Sequence, residues 1–161
     1  MPPEAEIFAL AEQVGERLRK LRKSIAVAES CTGGLLGAAL TDVPGSSVYF
    51  LGGVISYADQ VKREQLGVSD AMLRQYGAVS EETAAAMASG VRQRLHADIG
   101  VSITGVAGPD AEGSKPVGLT FIGIAAVVAT TQRFQWTGDR WDNRRRSVIA
   151  ALELLVRAPE L

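Results

Sequence analysis

Apolar residues Ile7, Leu10, Ala11, Val14, Leu18 and Leu21 recur three and four positions apart, which places them on one face of a helix. Pro2 and Pro3 precede that helix, and Arg19, Lys20, Arg22 and Lys23 crowd its far end, where the helix dipole favours cations. The pattern then changes. SIAVAES (24–30) is a short apolar run with β-branched residues and reads as a buried strand. TGGLLGAALTDV (32–43) reads as a helix with Thr32 as N-cap, closed by the loop VPGSS (43–47). VYFLGGVISYA (48–58) is β-branched and aromatic with Gly52 and Gly53 inside it. It fits two strand pieces joined at a tight turn, or one bulged strand.

Helical spacing returns in DQVKREQLG (59–67), DAMLRQYG (70–77) and SEETAAAMASGVRQRLHAD (80–98). In the last of these Ser80 caps, Glu81 and Glu82 fill the first turn, and Ala84, Met87, Ala88, Val91 and Leu95 share a face. DIGVSIT (98–104) is a second buried strand, followed by a loop (105–118) holding four Gly and two Pro. GLTFIGIAAVVAT (118–130) and TQRFQWTG (131–138) pair as strands. DNRRRSVIAALELLV (142–156) is a closing helix with Val148, Ile149, Leu152, Leu155 and Val156 inward. Alternating helices and strands followed by a hairpin predict an α/β fold. It is a single domain over 1–161, a three-layer α/β/α sandwich around a mixed, partly parallel sheet.

Composition narrows the function classes. Of 161 residues 47% are hydrophobic, and 17 Lys plus Arg against 18 Asp plus Glu give a net charge of −1. That excludes a disordered chain, and it gives no basis for nucleic-acid binding or for attraction to an anionic membrane. One cysteine (Cys31) and one histidine (His96) leave no disulfide framework and too few ligands for zinc, so neither metal nor cofactor is expected. No run of about 18 apolar residues predicts a membrane span, and MPPEAEIFALAEQ lacks a signal-peptide core. The cytoplasm is the expected location.

Four segments carry residues that folding alone does not require. AESCTGG (28–34) sets a hydroxyl, Ser30, beside a thiol, Cys31, between a buried strand and a helix start. Ligands of open α/β sheets sit beyond such strand ends, where free helix-start N–H groups can hold an oxyanion. A plain capped turn fits the same letters. GGVISYADQVK (52–62) places Tyr57 near a strand end and Lys62 on the next helix. A desolvated lysine can act as general base for a serine, whereas a surface lysine paired with Asp59 or Glu64 is the plain alternative. SITGVAGP (102–109) ends a strand at Thr104 and then offers Gly105 and Gly108 for close backbone approach to a ligand. GDRWDNRRR (138–146) puts Arg140 and Arg144 four apart at a helix start, against the dipole, where their forks suit phosphate or carboxylate. His96, beside Arg92 and Arg94 at a helix end, reads as structural.

Together these residues resemble the CinA C-terminal domain family, the nicotinamide-nucleotide amidohydrolases. The matching text is AESCTGGLLGAALTDVPGSS, FLGGVISYADQVKREQLGV, GAVSEETAAAMASG, SITGVAGP, KPVG, and GDR with the arginine at 144, spanning about residues 5 to 156. The resemblance implies hydrolysis of the carboxamide of nicotinamide mononucleotide to nicotinate mononucleotide and ammonia. It implies Ser30 as nucleophile, Lys62 and Tyr57 in proton transfer and Thr104 beside the reacting centre. It also implies Gly33, Gly34, Gly105 and Gly108 as pocket-lining backbone, Arg140 and Arg144 at the phosphate, and a homodimer or larger homo-oligomer.

Two departures stand out. The loop after Pro109, glycine-rich in the family, here reads Asp110-Ala111-Glu112, and Asn143 replaces an aliphatic residue. Carboxylates facing the pocket would repel an anionic nucleotide. Two other readings compete: an amidase with Cys31 as nucleophile, and a nucleotide-binding sensor or assembly module without turnover.

Overall fold

The computed structural model describes residues 4–161, so Pro2 and Pro3 lie outside the described residues. The elements in chain order are α1 (Ala5–Leu21), β1 (Ile25–Glu29), α2 (Leu35–Thr41), β2 (Phe50–Ile55), α3 (Asp59–Leu66), α4 (Asp70–Tyr76), α5 (Glu81–Arg94), β3 (Ile99–Gly105), β4 (Leu119–Ala125), β5 (Thr130–Gln135) and α6 (Arg140–Arg157). The strands form one sheet in the order β2-β1-β3-β4-β5. β2, β1 and β3 run parallel, and β4 and β5 add on as antiparallel neighbours. Helices cover both faces, α1, α2 and α6 on one side and α3, α4 and α5 on the other. This is the expected three-layer sandwich around a mixed, partly parallel sheet. No helix among the described residues is long and apolar enough to cross a membrane.

The two faces of the sheet differ in side-chain size. Ile25, Val27, Ile99, Val101, Ile103, Ile122 and Ile124 pack under α1, α2 and α6 with Leu18, Leu36, Leu152 and Leu155. The opposite face presents Ala26, Ala28, Gly100, Ser102 and Gly123, and α5 lies directly on them. A Cβ at Gly100 would fall 2.1 Å from the Ala88 carbonyl oxygen, and one at Gly123 2.6 Å from that of Ala84. Both glycines therefore mark close helix–sheet approach rather than flexibility. Ser102 Oγ donates to the Ala84 carbonyl at 2.6 Å, so this buried hydroxyl is satisfied by α5 itself.

Several boundaries depart from the pattern reading. The segment 48–58 contains one bulged strand, Phe50–Ile55, with the register slipping between Ile25 and Ala26 opposite Phe50 and Gly52, while Val48 ends a short 3-10 helix. The helix predicted over 80–98 stops at Arg94, and His96 lies beyond it with φ 52. The strands predicted over 118–138 are shorter, because 126–129 turn the hairpin and leave Val127 and Val128 exposed. The last helix begins at Arg140, capped by the Asp139 side chain on the Asp142 N–H at 2.9 Å.

The second predicted helix, 32–43, is the most consequential difference. It starts only at Leu35, and Thr32 is not its cap. Thr32 Oγ1 instead donates to Glu29 Oε1 at 2.7 Å. Glu29, in an otherwise apolar strand, accepts the N–H groups of Leu36 and Gly37, both at 2.9 Å. A buried carboxylate at the end of β1 thus takes the place of a neighbouring cap, at the positive end of α2. Gly33 and Gly34, with φ of 60 and 106, form the turn between them.

Candidate active site

Parallel register places the site. Glu29 pairs with Ile55 of β2 and Ile103 of β3, so the next residues, Ser30, Ser56 and Thr104, come level at the carboxyl ends of three adjacent strands. The ladder continues one step past β1, with the Ser30 N–H on the Ile103 carbonyl at 3.0 Å and the Ser56 N–H on the Glu29 carbonyl at 2.8 Å. Side-chain alternation then sends Glu29 to α2 and Ser30 to the opposite face, toward α3.

Lys62 on α3 meets Ser30 there. Its Nζ lies 3.0 Å from Ser30 Oγ, 2.6 Å from the Ser56 carbonyl oxygen and 3.3 Å from that of Tyr57. The side chain is only 1% exposed and has no carboxylate within ion-pair distance among the described residues. Burial pulls Lys62 below the ordinary lysine range, while Asp59, Glu112 and Cys31 push the other way. Charged, Lys62 donates to all three oxygens; neutral, it can still donate to the two carbonyls and accept from the Ser30 hydroxyl. The surface pairing considered for this lysine is absent, and Glu64 instead accepts from Gln60 at 2.9 Å.

Around this pair lies a cavity of about 260 Å³. Of the residues singled out in the sequence, Ser30, Tyr57, Lys62, Thr104, Gly105, Gly108 and Arg140 line it. So do Cys31, Asp59, Asp110 and Glu112. Thr104 Oγ1 donates to the Ala78 carbonyl at 2.8 Å, which ties the end of β3 to the segment before α5. Cys31 is buried, and desolvation pushes its thiol up to about 11, so it stays protonated near neutrality.

Tyr57 splits its roles. Its carbonyl touches Lys62, but its phenol lies at the mouth, 63% exposed, and accepts from Arg140 Nη2 at 3.1 Å. Arg140 Nη1 also donates to the Gly108 carbonyl at 2.5 Å, so the arginine bridges Tyr57 and the glycine loop. Lys62 reaches Ser30 directly, with no relay through the phenol.

Gly33, Gly34 and Arg144 are not among the cavity-lining residues. Arg144 Nε donates to the Cys31 carbonyl and Nη2 to that of Thr32, each at 3.1 Å, with the guanidinium 5.2 Å above the Trp141 ring. It grips the turn after Ser30 from behind. In a trans peptide the N–H points opposite the C=O. Fixing the Cys31 carbonyl therefore also fixes the Thr32 N–H, pointing away from Arg144. Oxyanion donors are thus to be sought in the turn itself, since Glu29 already occupies the Leu36 and Gly37 N–H groups of α2.

Pattern reading gave Glu29 no role, although a lone carboxylate in a buried run is the signal that could have found it. It also gave Asp59 no place in the pocket. Asn143, noted only as a departure, holds the glycine loop: its Nδ2 donates to the Ala107 and Gly138 carbonyls and its Oδ1 accepts from the Gly138 N–H, all at 3.0 Å.

Comparison with known proteins agrees with this architecture. The family model described as CinA C-terminal domain matches residues 7–158. A Halothermothrix orenii sequence named as a competence-damage inducible protein is 51% identical over 152 residues, which is 92% of this chain and 37% of that protein. A CinA-like protein of Gloeothece citriformis is 48% identical over 153 residues, 94% of this chain and 37% of its own. The chain therefore spans little more than a third of these curated relatives. The crystal structure of the competence/damage inducible protein CihA from Agrobacterium tumefaciens superposes with a TM-score of 0.90 at 35% identity, covering 97% of each chain. That of the competence damage-inducible protein A from Klebsiella pneumoniae superposes with 0.92 at 30% identity, covering 94% of this chain and 96% of its own. Sequence and fold agree: the chain belongs to the CinA C-terminal domain family.

Proposed function

We propose that this chain is a serine–lysine amidohydrolase that cleaves the carboxamide of nicotinamide mononucleotide to nicotinate mononucleotide and ammonia. The observation that carries the reading is the 3.0 Å contact, inside a cavity, between Ser30 Oγ and a buried Lys62 Nζ that has no ion-pair partner among the described residues. Neutral Lys62 takes the Ser30 proton as the oxygen attacks the carboxamide carbon. Backbone N–H groups at the start of the turn, on Cys31 and Thr32, stabilise the oxyanion, since the Gly33 N–H is already donated to the Ser30 carbonyl; each donor is worth about 3 kcal/mol in the transition state. As the tetrahedral adduct collapses, protonated Lys62 gives the proton to the departing nitrogen, the C–N bond breaks and ammonia leaves an acyl ester on Ser30. Lys62, neutral again, activates a water that attacks the ester carbonyl. The products are the carboxylate and free Ser30. Thr104, tied to Ala78, shapes the wall beside the reacting carbon. The homodimer or larger assembly implied by the resemblance belongs to the same proposal and is read by light scattering.

Two observations separate this from its rivals. A thiol raised to about 11 is a poor nucleophile near neutrality, which weighs against Cys31. Burial of an amine without an ion-pair partner costs stability and is characteristic of catalytic sites, which weighs against a binding module without chemistry. The test is ammonia release from the mononucleotide. Wild type and Cys31→Ala turn over, while Ser30→Ala loses at least about a thousandfold in kcat. Activity that survives in Ser30→Ala and dies in Cys31→Ala overturns the assignment. Tight binding without ammonia from wild type supports the module.

A further inference from the structure

Two charged side chains are fully buried among the described residues, Lys62 and Glu29, and they leave the sheet on opposite faces on either side of Ser30. The proposed reaction uses Lys62 but not Glu29, which does not line the cavity. Folding alone does not call for Glu29 either. A short polar side chain can cap a helix without a buried charge, whereas a carboxylate in the apolar run IAVAE is costly to desolvate. What Glu29 adds is a tie across the turn that carries the nucleophile. Its Oε1 accepts the Thr32 hydroxyl at 2.7 Å and the Leu36 N–H at 2.9 Å, and its Oε2 accepts the Gly37 N–H at 2.9 Å.

Inside that turn the Gly33 N–H donates to the Ser30 carbonyl and the Leu35 N–H to the Thr32 carbonyl, both at 3.1 Å. Arg144 holds the Cys31 and Thr32 carbonyls. Thr32 is therefore fixed at its hydroxyl by Glu29 and at its carbonyl by Arg144. The Cys31 and Thr32 N–H groups have no acceptor among the described residues. We infer that Glu29 is a positioning residue of the proposed hydrolysis: acting through Thr32, its carboxylate sets the Cys31 and Thr32 N–H groups for the oxyanion that forms at Ser30. The inference rests on that reading for its reaction and adds a residue that touches neither substrate nor Lys62.

The experiment compares wild type with Glu29→Gln, Thr32→Val, Thr32→Ser and the double variant Glu29→Gln/Thr32→Val. A glutamine at 29 fills the same space, but its amide N–H₂ must face the Leu36 or the Gly37 N–H, donor against donor. Ammonia release from nicotinamide mononucleotide gives kcat and KM. Labelling of Ser30 by a small fluorophosphonate, followed by intact mass, reads the serine without the substrate. In that step Oγ bonds to phosphorus, the P–F bond breaks, fluoride leaves and the Ser30 proton passes to Lys62, while the phosphoryl oxygen occupies the oxyanion position. The labelling endpoint counts folded sites and the rate reports their reactivity.

Glu29→Gln and Thr32→Val should each lower kcat and the labelling rate by about 10- to 100-fold per labelled site, with KM within about twofold and the pH limb unmoved. Thr32→Ser, which keeps the hydroxyl, should stay within about threefold of wild type. The double variant should be no slower than the worse single one, because both break the same contact. If Glu29→Gln does not fold, the Val and Ser variants at 32 decide by the same thresholds. Losses under about tenfold, losses that vanish per labelled site, a raised KM, or multiplying effects in the double variant overturn the inference. A wild type that labels at Ser30 but releases no ammonia defeats the hydrolytic reading alone, and the labelling rates then decide the role of Glu29. A wild type that does neither defeats both.

Discussion

The floor and the mouth of the cavity are built by opposite means. On the floor, Ser30, Ser56 and Thr104 stand level at three strand ends, and Lys62 is sealed in with them. Backbone holds the other polar groups there, two carbonyls on Lys62, one on Thr104 and the sheet ladder under Ser30, while Ser30 Oγ meets Lys62 Nζ. The mouth is made of exposed side chains: Arg140 bonded to Tyr57 and the Gly108 carbonyl, and Asp110 and Glu112 on the neighbouring loop. Burial makes the floor reactive, because a charge or an unpaired group costs most where water is excluded. At the mouth solvent screens each charge, so a single residue there tunes rather than decides. Chemistry should therefore fail completely at the floor and shift by modest factors at the mouth.

The largest expected effect breaks the floor at Lys62. Lys62→Met removes the base while keeping the length of the stem, and kcat for ammonia release falls by about 10³ or more. The same change stabilises the fold. Folding lowers the Lys62 pKa, so the unfolded chain holds that proton more tightly. The resulting penalty is fully present below the folded pKa and disappears as pH rises toward the ordinary lysine value. The variant should melt roughly 3 °C higher for each kcal/mol relieved, with a gain that shrinks in alkaline buffer. In wild type, kcat/KM should climb with pH along a limb that lies below the ordinary lysine range of about 10.4. A limb at or above that range, or a Lys62→Met variant that melts lower at every pH, would contradict a neutral working amine.

Arg144 lies between the two regimes, and its substitution sharpens the line between them. It touches the turn carbonyls rather than the cavity, so Arg144→Ala should loosen the oxyanion donors and lower kcat by roughly 10–100-fold with little change in KM. The loss should be equal for nicotinamide mononucleotide and nicotinamide riboside. Arg144→Lys should not restore it, since a lysine cannot serve two carbonyls with one planar fork. A rise in KM confined to the phosphate-bearing substrate would return Arg144 to the mouth.

How much of this was legible follows the same division. Ser30, Lys62 and Thr104 were readable because each breaks a local rule: a hydroxyl and a lysine beside apolar runs, and a strand that ends in Thr-Gly. The sandwich was readable from the alternation of periods. Glu29 was missed because its partners come from the following helix, so the pattern credited Thr32 with a cap that a strand residue provides. Arg140 and Arg144 looked alike because four-residue spacing gives a shared face but no direction. Only packing shows one bridging to Tyr57 and the other turned to Cys31 and Thr32. Asp110 and Glu112 were visible as departures, but their facing the cavity depends on a loop path that no periodicity encodes.

The smallest expected effect lies at Tyr57, where the two regimes meet in one residue. The backbone of Tyr57 belongs to the floor, since its carbonyl accepts from Lys62. Its phenol belongs to the mouth, where it only accepts from Arg140. Tyr57→Phe keeps the carbonyl and the ring and removes one exposed hydrogen bond, worth about 1 kcal/mol at most. It should change kcat/KM by no more than about fivefold, with kcat almost unmoved. A phenol that relays the Ser30 proton would instead cost about a hundredfold in kcat and displace the pH limb. The distinction is sharp because both outcomes come from the same oxygen atom: solvent-exposed and bound to a guanidinium, it has little to lose, whereas on the proton path it would be indispensable.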